Sequence, residues 1–405
     1  MASIAIAGSV ATPEGKLGGL SGLITQRALL AVVAKWGIGW SRRTGRPLSF
    51  GNIIIAARYQ DAQEVLARDL DFTIAPINAK AFETIKFPFI LGLDRSTELA
   101  RQRGALYSAL ARVNMAPLQR AAAEHAQTLL ARSHSGSLDI VEDFARPIAA
   151  ATASRLIGIR PDDNALFMDA VRAMFGYCFL NSAHNPSVEE RAKRGAELIA
   201  AWLDGEIMKR RTSGAHGDDM MGALLDQNDL TTDQIRDCLG GMLVGSIDPP
   251  ASIVAKIMQV LVADKSLLAA TTQDAENPNR LWGWCQEALR RWPQGFLLIR
   301  RAARDTMLGS VRVKSGSKVI VWTQAAMLDP SGFPDPDRML PNRDPRHYLH
   351  TGGGLHPCAG RMINAWQTPL IVGALLKLDP TRLEKLRWAG PFPAHLIMHY
   401  SGAAA

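Results

Sequence analysis

His350-Thr351-Gly352-Gly353-Gly354-Leu355-His356-Pro357-Cys358-Ala359-Gly360 is the stretch on which the reading of this chain turns. Three consecutive glycines open backbone angles closed to other residues and let the chain approach a large flat ligand closely. A single cysteine follows, immediately before an apolar, helix-like run over residues 362–378. Unpaired N–H groups and the dipole at a helix start favour a thiolate there. No second Cys or His follows at zinc spacing, so a four-ligand zinc site is excluded. The plainer alternative is a glycine loop with a buried structural cysteine, since free cysteines are among the most buried residues.

A lone thiolate can also be the single axial ligand of a haem iron. On these residues the segment resembles the haem-binding loop of the cytochrome P450 family, Phe-Gly-x-Gly-x-His-x-Cys-x-Gly. Gly352, Gly354, His356, Cys358 and Gly360 fall in register, with Cys358 in the place of the thiolate ligand. Thr351 departs from the pattern, standing where the family has the Phe that shields the sulfur. The resemblance implies haem b on Cys358, with the loop glycines against the cofactor and His356 contacting a propionate.

At 405 residues and 47% hydrophobic, the chain can bury a large core, and length alone allows two or three domains. The resemblance implies one haem-thiolate catalytic domain over residues 46–405, behind an N-terminal arm and first helix over residues 1–45. Cys178, Cys238, Cys285 and Cys358 show no paired spacing, which fits a reducing, cytoplasmic compartment. No uninterrupted apolar run of about 18 residues appears, so no membrane anchor is expected. The first 19 residues lack the charged start of a secretory signal.

The net charge of +8 is spread along the chain. Without a basic and aromatic platform, nucleic acid is not an expected partner. A solvated surface accounts for the charge, and docking of an acidic electron-transfer protein is a second use for it. Arg343, Arg346, His347 and Arg361 flank the cysteine loop and suit that role.

A second decisive stretch spans residues 231–264, where Thr232-Asp233 can cap a long helix centred on Leu243-Val244-Gly245-Ser246-Ile247-Asp248-Pro249-Pro250-Ala251. It resembles the family's central helix over the distal haem face, with its small-Gly-x-x-Asp-Thr pattern. Gly245 would leave room over the porphyrin, Asp248 matches the acid of the proton-delivery pair, and Val244 would face substrate. Pro249 stands in place of the Thr. A proline inside a helix donates no hydrogen bond and clashes with the carbonyl four residues back. The Gly245 and Ser246 carbonyls should then be free, with the Ser246 hydroxyl as one available partner. The other reading is that the prolines end one helix and begin a second, which Asp248 caps. Both stay open on the sequence.

Elsewhere, residues 23–40 read as a helix, 49–57 as a strand and 61–68 as a short helix. Residues 72–93 lack a clean period and read as loop with short turns; the resemblance makes Phe87 and Phe89 pocket walls. Residues 94–110 are helical, and the resemblance pairs a propionate with Arg103, Arg101 being the near alternative. Leu99 stands where the family often has a His. Four helices follow at 118–133, 141–156, 162–177 and 188–211, with no chemistry assigned.

Residues 277–292 form a helix holding Glu287 and Arg290 on one face. The resemblance closes a structural network through Arg343 in the segment that follows Phe333-Pro334-Asp335. Residues 296–301 read as a strand, with Arg300 (or Arg301) on the second propionate and Phe296, Leu297 and Leu298 lining the pocket. A hairpin of 311–314 with 317–322, turned at Ser315-Gly316, follows. Residues 388–400 resemble the closing hairpin, with Phe392 near its tip.

The expected fold is mainly α with a minor β region. The function implied by the resemblance is a soluble, bacterial-type monooxygenase acting on an apolar small molecule with electrons from a ferredoxin-type partner. The alternatives are a peroxide-driven or electron-independent rearranging or dehydrating enzyme, and a haem-binding protein without turnover.

Overall fold

The computed structural model describes residues 36–402, apart from 134–135, 182, 228–229 and 390–391. Most of the helix expected over residues 23–40 lies outside the described residues, and the first described α-helix is Ile38–Thr44. Helices make up most of the structure, with a minor β part, as the sequence implies.

The strands in chain order are β1 (Leu48–Phe50), β2 (Ile53–Ala56), β3 (Phe72–Thr73), β4 (Ser137–Asp139), β5 (Leu297–Ala302), β6 (Thr306–Leu308), β7 (Val311–Val313), β8 (Lys318–Trp322), β9 (Pro380–Leu383), β10 (Arg387–Ala389), β11 (Phe392–His395) and β12 (Ile397–Tyr400). The main sheet runs β1-β2-β8-β5-β3, with β2 and β8 parallel and its other pairs antiparallel. The expected single strand at 49–57 is thus a hairpin. The expected pairing of 311–314 with 317–322 does not form: β7 turns back on β6, and β8 joins β5. The turn backbone between them is committed to β5, with Gly316 N donating to Ala302 O and Ala302 N to Ser317 O.

Residues 72–93 also differ from expectation. They hold β3, the helix Ala75–Thr84 and a short 3-10 turn Ile90–Gly92. Pro76 falls in the first helical turn, where its missing N–H leaves nothing unpaired. The cap comes from beyond the helix: Asp94 Oδ1 accepts from Ile74 N at 2.8 Å and Ala75 N at 3.0 Å. A cap at that separation has no local sequence pattern.

The stretch 231–264 is two helices, Thr232–Val244 and Asp248–Val262. The first starts in a capping box made by Thr231 and Gln234, one residue before the expected cap. Pro249 and Pro250 lie in the first turn of the second helix. Their nitrogens cannot bond back to Gly245 O and Ser246 O, so the ladder stops there. Ser246 does not rescue those carbonyls; its hydroxyl donates to Leu243 O at 2.8 Å. Together the two helices form a stretch long and apolar enough to cross a membrane, yet 72% of its apolar window is buried inside the fold.

Two large apolar clusters enclose this central pair. One gathers the helix Thr97–Arg112, the long helix Pro186–Ser213 and the first central helix. The other gathers the second central helix, the helix Pro278–Arg291 and the helix Arg361–Leu376 that follows the cysteine.

Candidate active site

The cysteine loop is shaped by its glycines. Gly352 and Gly354 adopt φ of +74° and +63°, and a Cβ on Gly354 would stand 1.8 Å from Leu66 O. The backbone closes with Cys358 N donating to Thr351 O at 2.8 Å. Gly360 has an ordinary φ of −72°; its place is at the sulfur, where a Cβ would lie 3.7 Å from Cys358 Sγ. Cys358 is exposed, yet enough protein surrounds it for burial to raise its thiol pKa, opposed by the Gly360 and Arg361 N–H groups. Both hold for a side chain on the wall of an internal cavity. Gly245, at the break in the central helix, is likewise exposed and has open space where a Cβ would go.

Beside the loop stand three cationic or protonatable groups. Arg300 is buried, and its described hydrogen bond is to the neighbouring Ile299 O. Burial pushes its guanidinium down to about 10, with Asp94 opposing. Buried His356 has no partner at Nδ1. Burial first, then Arg300 and Arg103, push its imidazole down to about 4. Arg103 stacks over the Tyr107 ring at 5.6 Å. Among the described residues neither Arg103 nor Arg300 has a carboxylate within ion-pair distance. The neighbours left open by the sequence are committed elsewhere: Arg101 pairs with Glu98 at 2.6 Å, and Arg301 donates to Gly316 O. Buried cations without a counter-charge are costly. An open thiol beside two guanidiniums without an ion-pair partner and an imidazole with an unpartnered Nδ1 fits a flat cofactor carrying two carboxylates.

Asp248 has a setting no local pattern announced. Buried, it accepts a hydrogen bond from Arg172 Nε on Oδ1 at 2.7 Å, and Arg146 Nε stands 3.1 Å from the same oxygen as an ion pair without hydrogen-bond geometry, while Oδ2 is buried with no partner. Glu142 holds the other side of both arginines, at 2.5 Å from Arg146 and 3.1 Å from Arg172. Burial raises the Asp248 pKa, and the two arginines oppose it. Asp248 makes no cap hydrogen bond to its helix, so the expectation of a simple N-cap is corrected.

Glu287 anchors the network under the loop. Arg290 meets it through two bonds at 2.8 and 3.0 Å, Arg343 Nε lies at 3.3 Å, and the Tyr348 hydroxyl donates at 2.8 Å. Leu340 N adds a bond at 2.9 Å. Arg343 also donates to Pro334 O and Asp335 O, so it is not free for a docking surface. Arg346 is paired with Asp344. His347 and Arg361 are exposed.

The expected pocket residues do not gather on one wall. Phe87, Phe89 and Val244 are core residues, the two rings lying against Gly240 and Gly241. Phe392 is buried against Phe175, with the Arg172 guanidinium over its ring. Phe296 is exposed and Leu297 half-buried, while half-buried Leu298 reaches toward Gly352. The aromatic rings instead form a chain, Phe89–Phe82–Phe179–Phe175–Phe392, with successive centroids 5.0 to 5.9 Å apart.

A family model described as Cytochrome P450 matches residues 49–378. The chain belongs to the cytochrome P450 family. P450s carry haem b, and the open thiol and uncompensated cations suit that group. Biflaviolin synthase of Streptomyces coelicolor is 29% identical over 259 residues, which is 62% of this chain and 59% of that protein. The 6-deoxyerythronolide B hydroxylase of Saccharopolyspora erythraea is 28% identical over 260 residues, 61% of this chain and 59% of that one. The chain thus spans about three-fifths of the length of these relatives. Among solved structures, CalO2 has a TM-score of 0.78 at 21% identity, covering 92% of this chain and 98% of that one. P450BioI, solved with a fatty-acid-ligated acyl carrier protein, has a TM-score of 0.77 at 18% identity, covering 91% and 100%. At such identities the likeness shows the P450 fold.

Proposed function

We propose that this P450 is a monooxygenase that inserts oxygen into an apolar small molecule, with haem on Cys358 and its propionates against Arg103, Arg300 and His356. The observation that carries the reading is the open Cys358 thiol beside cations that lack a counter-charge. Haem iron with a thiolate ligand supplies oxygen activation, the thiolate pushing electron density toward O–O cleavage.

The chain's own residues do the rest. Gly360, Gly352 and Gly354 let the loop backbone approach the cofactor. Gly245 would leave room for the group at the helix break, where a Cβ would meet nothing within 4 Å. Asp248 presents an unpartnered Oδ2 where a proton can be taken up and passed on, with burial raising its pKa and Arg172 bonded to Oδ1. A buried acid so tuned suits proton delivery. Electrons come from a ferredoxin-type donor, supported by exposed His347 and Arg361 beside the loop. Four cysteines without a disulfide among them fit work in the cytoplasm.

One observation favours a second reading, peroxide-driven turnover: Pro249 offers no hydroxyl, and that of Ser246 is committed to Leu243 O. A paired assay separates them, running one substrate panel with hydrogen peroxide alone and then with NADH, a surrogate ferredoxin and its reductase. Product on the electron-fed side is expected, and Asp248→Asn should slow it about a hundredfold, the usual contribution of a positioned acid. Product from peroxide alone, with Asp248→Asn unchanged on the electron-fed side, would transfer the protein to the second reading. Pro249→Thr should raise the fraction of electrons recovered in product if the missing hydroxyl limits the electron-fed path.

A further inference from the structure

Lys256 lies two helical turns beyond the Asp248-Pro249-Pro250 start of the second central helix and is only 6% exposed. Lysines are almost never this buried without a paired carboxylate. Among the described residues no carboxylate lies within ion-pair distance of its Nζ. The amine instead donates to Pro293 O at 3.1 Å and Gln294 Oε1 at 2.8 Å, and stands 5.6 Å from the centre of the Trp292 ring. Two oxygens and an aromatic face match the three N–H groups of an ammonium. Ser252, one turn earlier on the same face, donates to the same Gln294 Oε1 at 2.5 Å.

All these partners belong to one short connection, residues 292–295, between the helix Pro278–Arg291 and β5. Its far end is held by Thr323, whose hydroxyl donates to Gly295 O at 2.8 Å and whose N–H donates to Phe296 O at 3.0 Å. Beyond it Leu298 reaches across to the cysteine loop: its methyl carbons lie 3.9 Å from where a Cβ of Gly295 would be and 3.8 Å from that of Gly352. Arg300 comes two residues later. A shift of residues 292–295 would therefore move Phe296 and Leu298 relative to the cysteine loop.

We propose that Lys256 is a positioning residue for specificity: by anchoring residues 292–295 to the central helix, it fixes where Phe296 and Leu298 stand and so which bulky ligands the haem pocket admits. The inference rests on the haem-pocket reading above. A lysine that merely stabilised the fold would change unfolding without distinguishing ligands by size.

The test uses the full-length haem protein as wild type, Lys256→Met and Gln294→Leu. Two iron-binding probes are titrated by the shift of the haem absorption band: imidazole, small enough to need little of the wall, and clotrimazole, bulky enough to press on it. Both variants should weaken clotrimazole about tenfold, the loss expected of one hydrogen bond to a charged group, and move imidazole less than about twofold. Equal changes for both probes, or none for either, overturn the proposal.

A second arm does not depend on ligands. Amide hydrogen exchange over residues 293–300 should quicken about tenfold in both variants, with the helix Arg361–Leu376 unchanged. Uniform quickening, or none, overturns the anchor. Should wild type bind neither azole through iron, the haem reading fails while exchange still decides the anchor. If Lys256→Met does not fold, Gln294→Leu removes the same bond from its other side.

Discussion

Arg300 shows how a single residue records a missing partner. A guanidinium this buried, with its pKa pushed down to about 10, is destabilising by itself and stabilising only beside an anion. Arg300→Leu should therefore act with opposite signs in two states. The haem-free chain should gain on the order of 1 kcal/mol, because an uncompensated charge leaves the interior. The haem-loaded chain should lose stability and release haem faster, because a propionate loses its fork. Thermal unfolding of both forms, with haem transfer to an excess of apomyoglobin, checks both signs. Asp248 is the complementary case: a buried carboxyl whose position is set by Arg146 and Arg172 rather than by its own helix.

At the scale of elements, the break between the central helices joins two tasks. Residues 245–247 leave the helical ladder and open space for a ligand, while Pro249 and Pro250 restart it with φ already suited to a helix. The restarted helix then carries Lys256 into the interior, where burial pushes its amine down to about 7. The unfolded chain keeps a lysine near the ordinary value of about 10.4. Between these values the unfolded state binds the extra proton, so this residue's contribution to stability rises with pH from about 7 to about 10. Below pH 7 both states are protonated and the burial penalty is felt in full. Urea unfolding at stepped pH should show wild type gaining on Lys256→Met across that window, with parallel curves below it.

For the whole molecule, the helix Pro278–Arg291 is fastened to the segment 340–348 that leads into the cysteine loop through one carboxylate. Glu287 is fully buried and serves Arg290, Arg343, Tyr348 and Leu340 N at once. Burial raises its pKa, but these partners hold it below the ordinary carboxylate range. Glu287→Ala should destabilise the fold by about 3–5 kcal/mol, as expected when one partner of a buried ion pair is removed. Denaturant unfolding of the haem-free chain is the check. The sequence by itself determined the family, the loop shape and the cysteine, because Gly352, Gly354, His356, Cys358 and Gly360 act within eleven residues of one another. It also determined that the prolines must interrupt the central helix, since a missing N–H is a local fact. Only the tertiary structure decided what surrounds them. The partners of Asp248 come from two other helices, the cap of Ala75–Thr84 from Asp94, the pairing of β8 from β2 and β5, and the acceptors of Lys256 from a distant turn. Such contacts join residues far apart in the chain, and their energies depend on burial, which no local pattern carries.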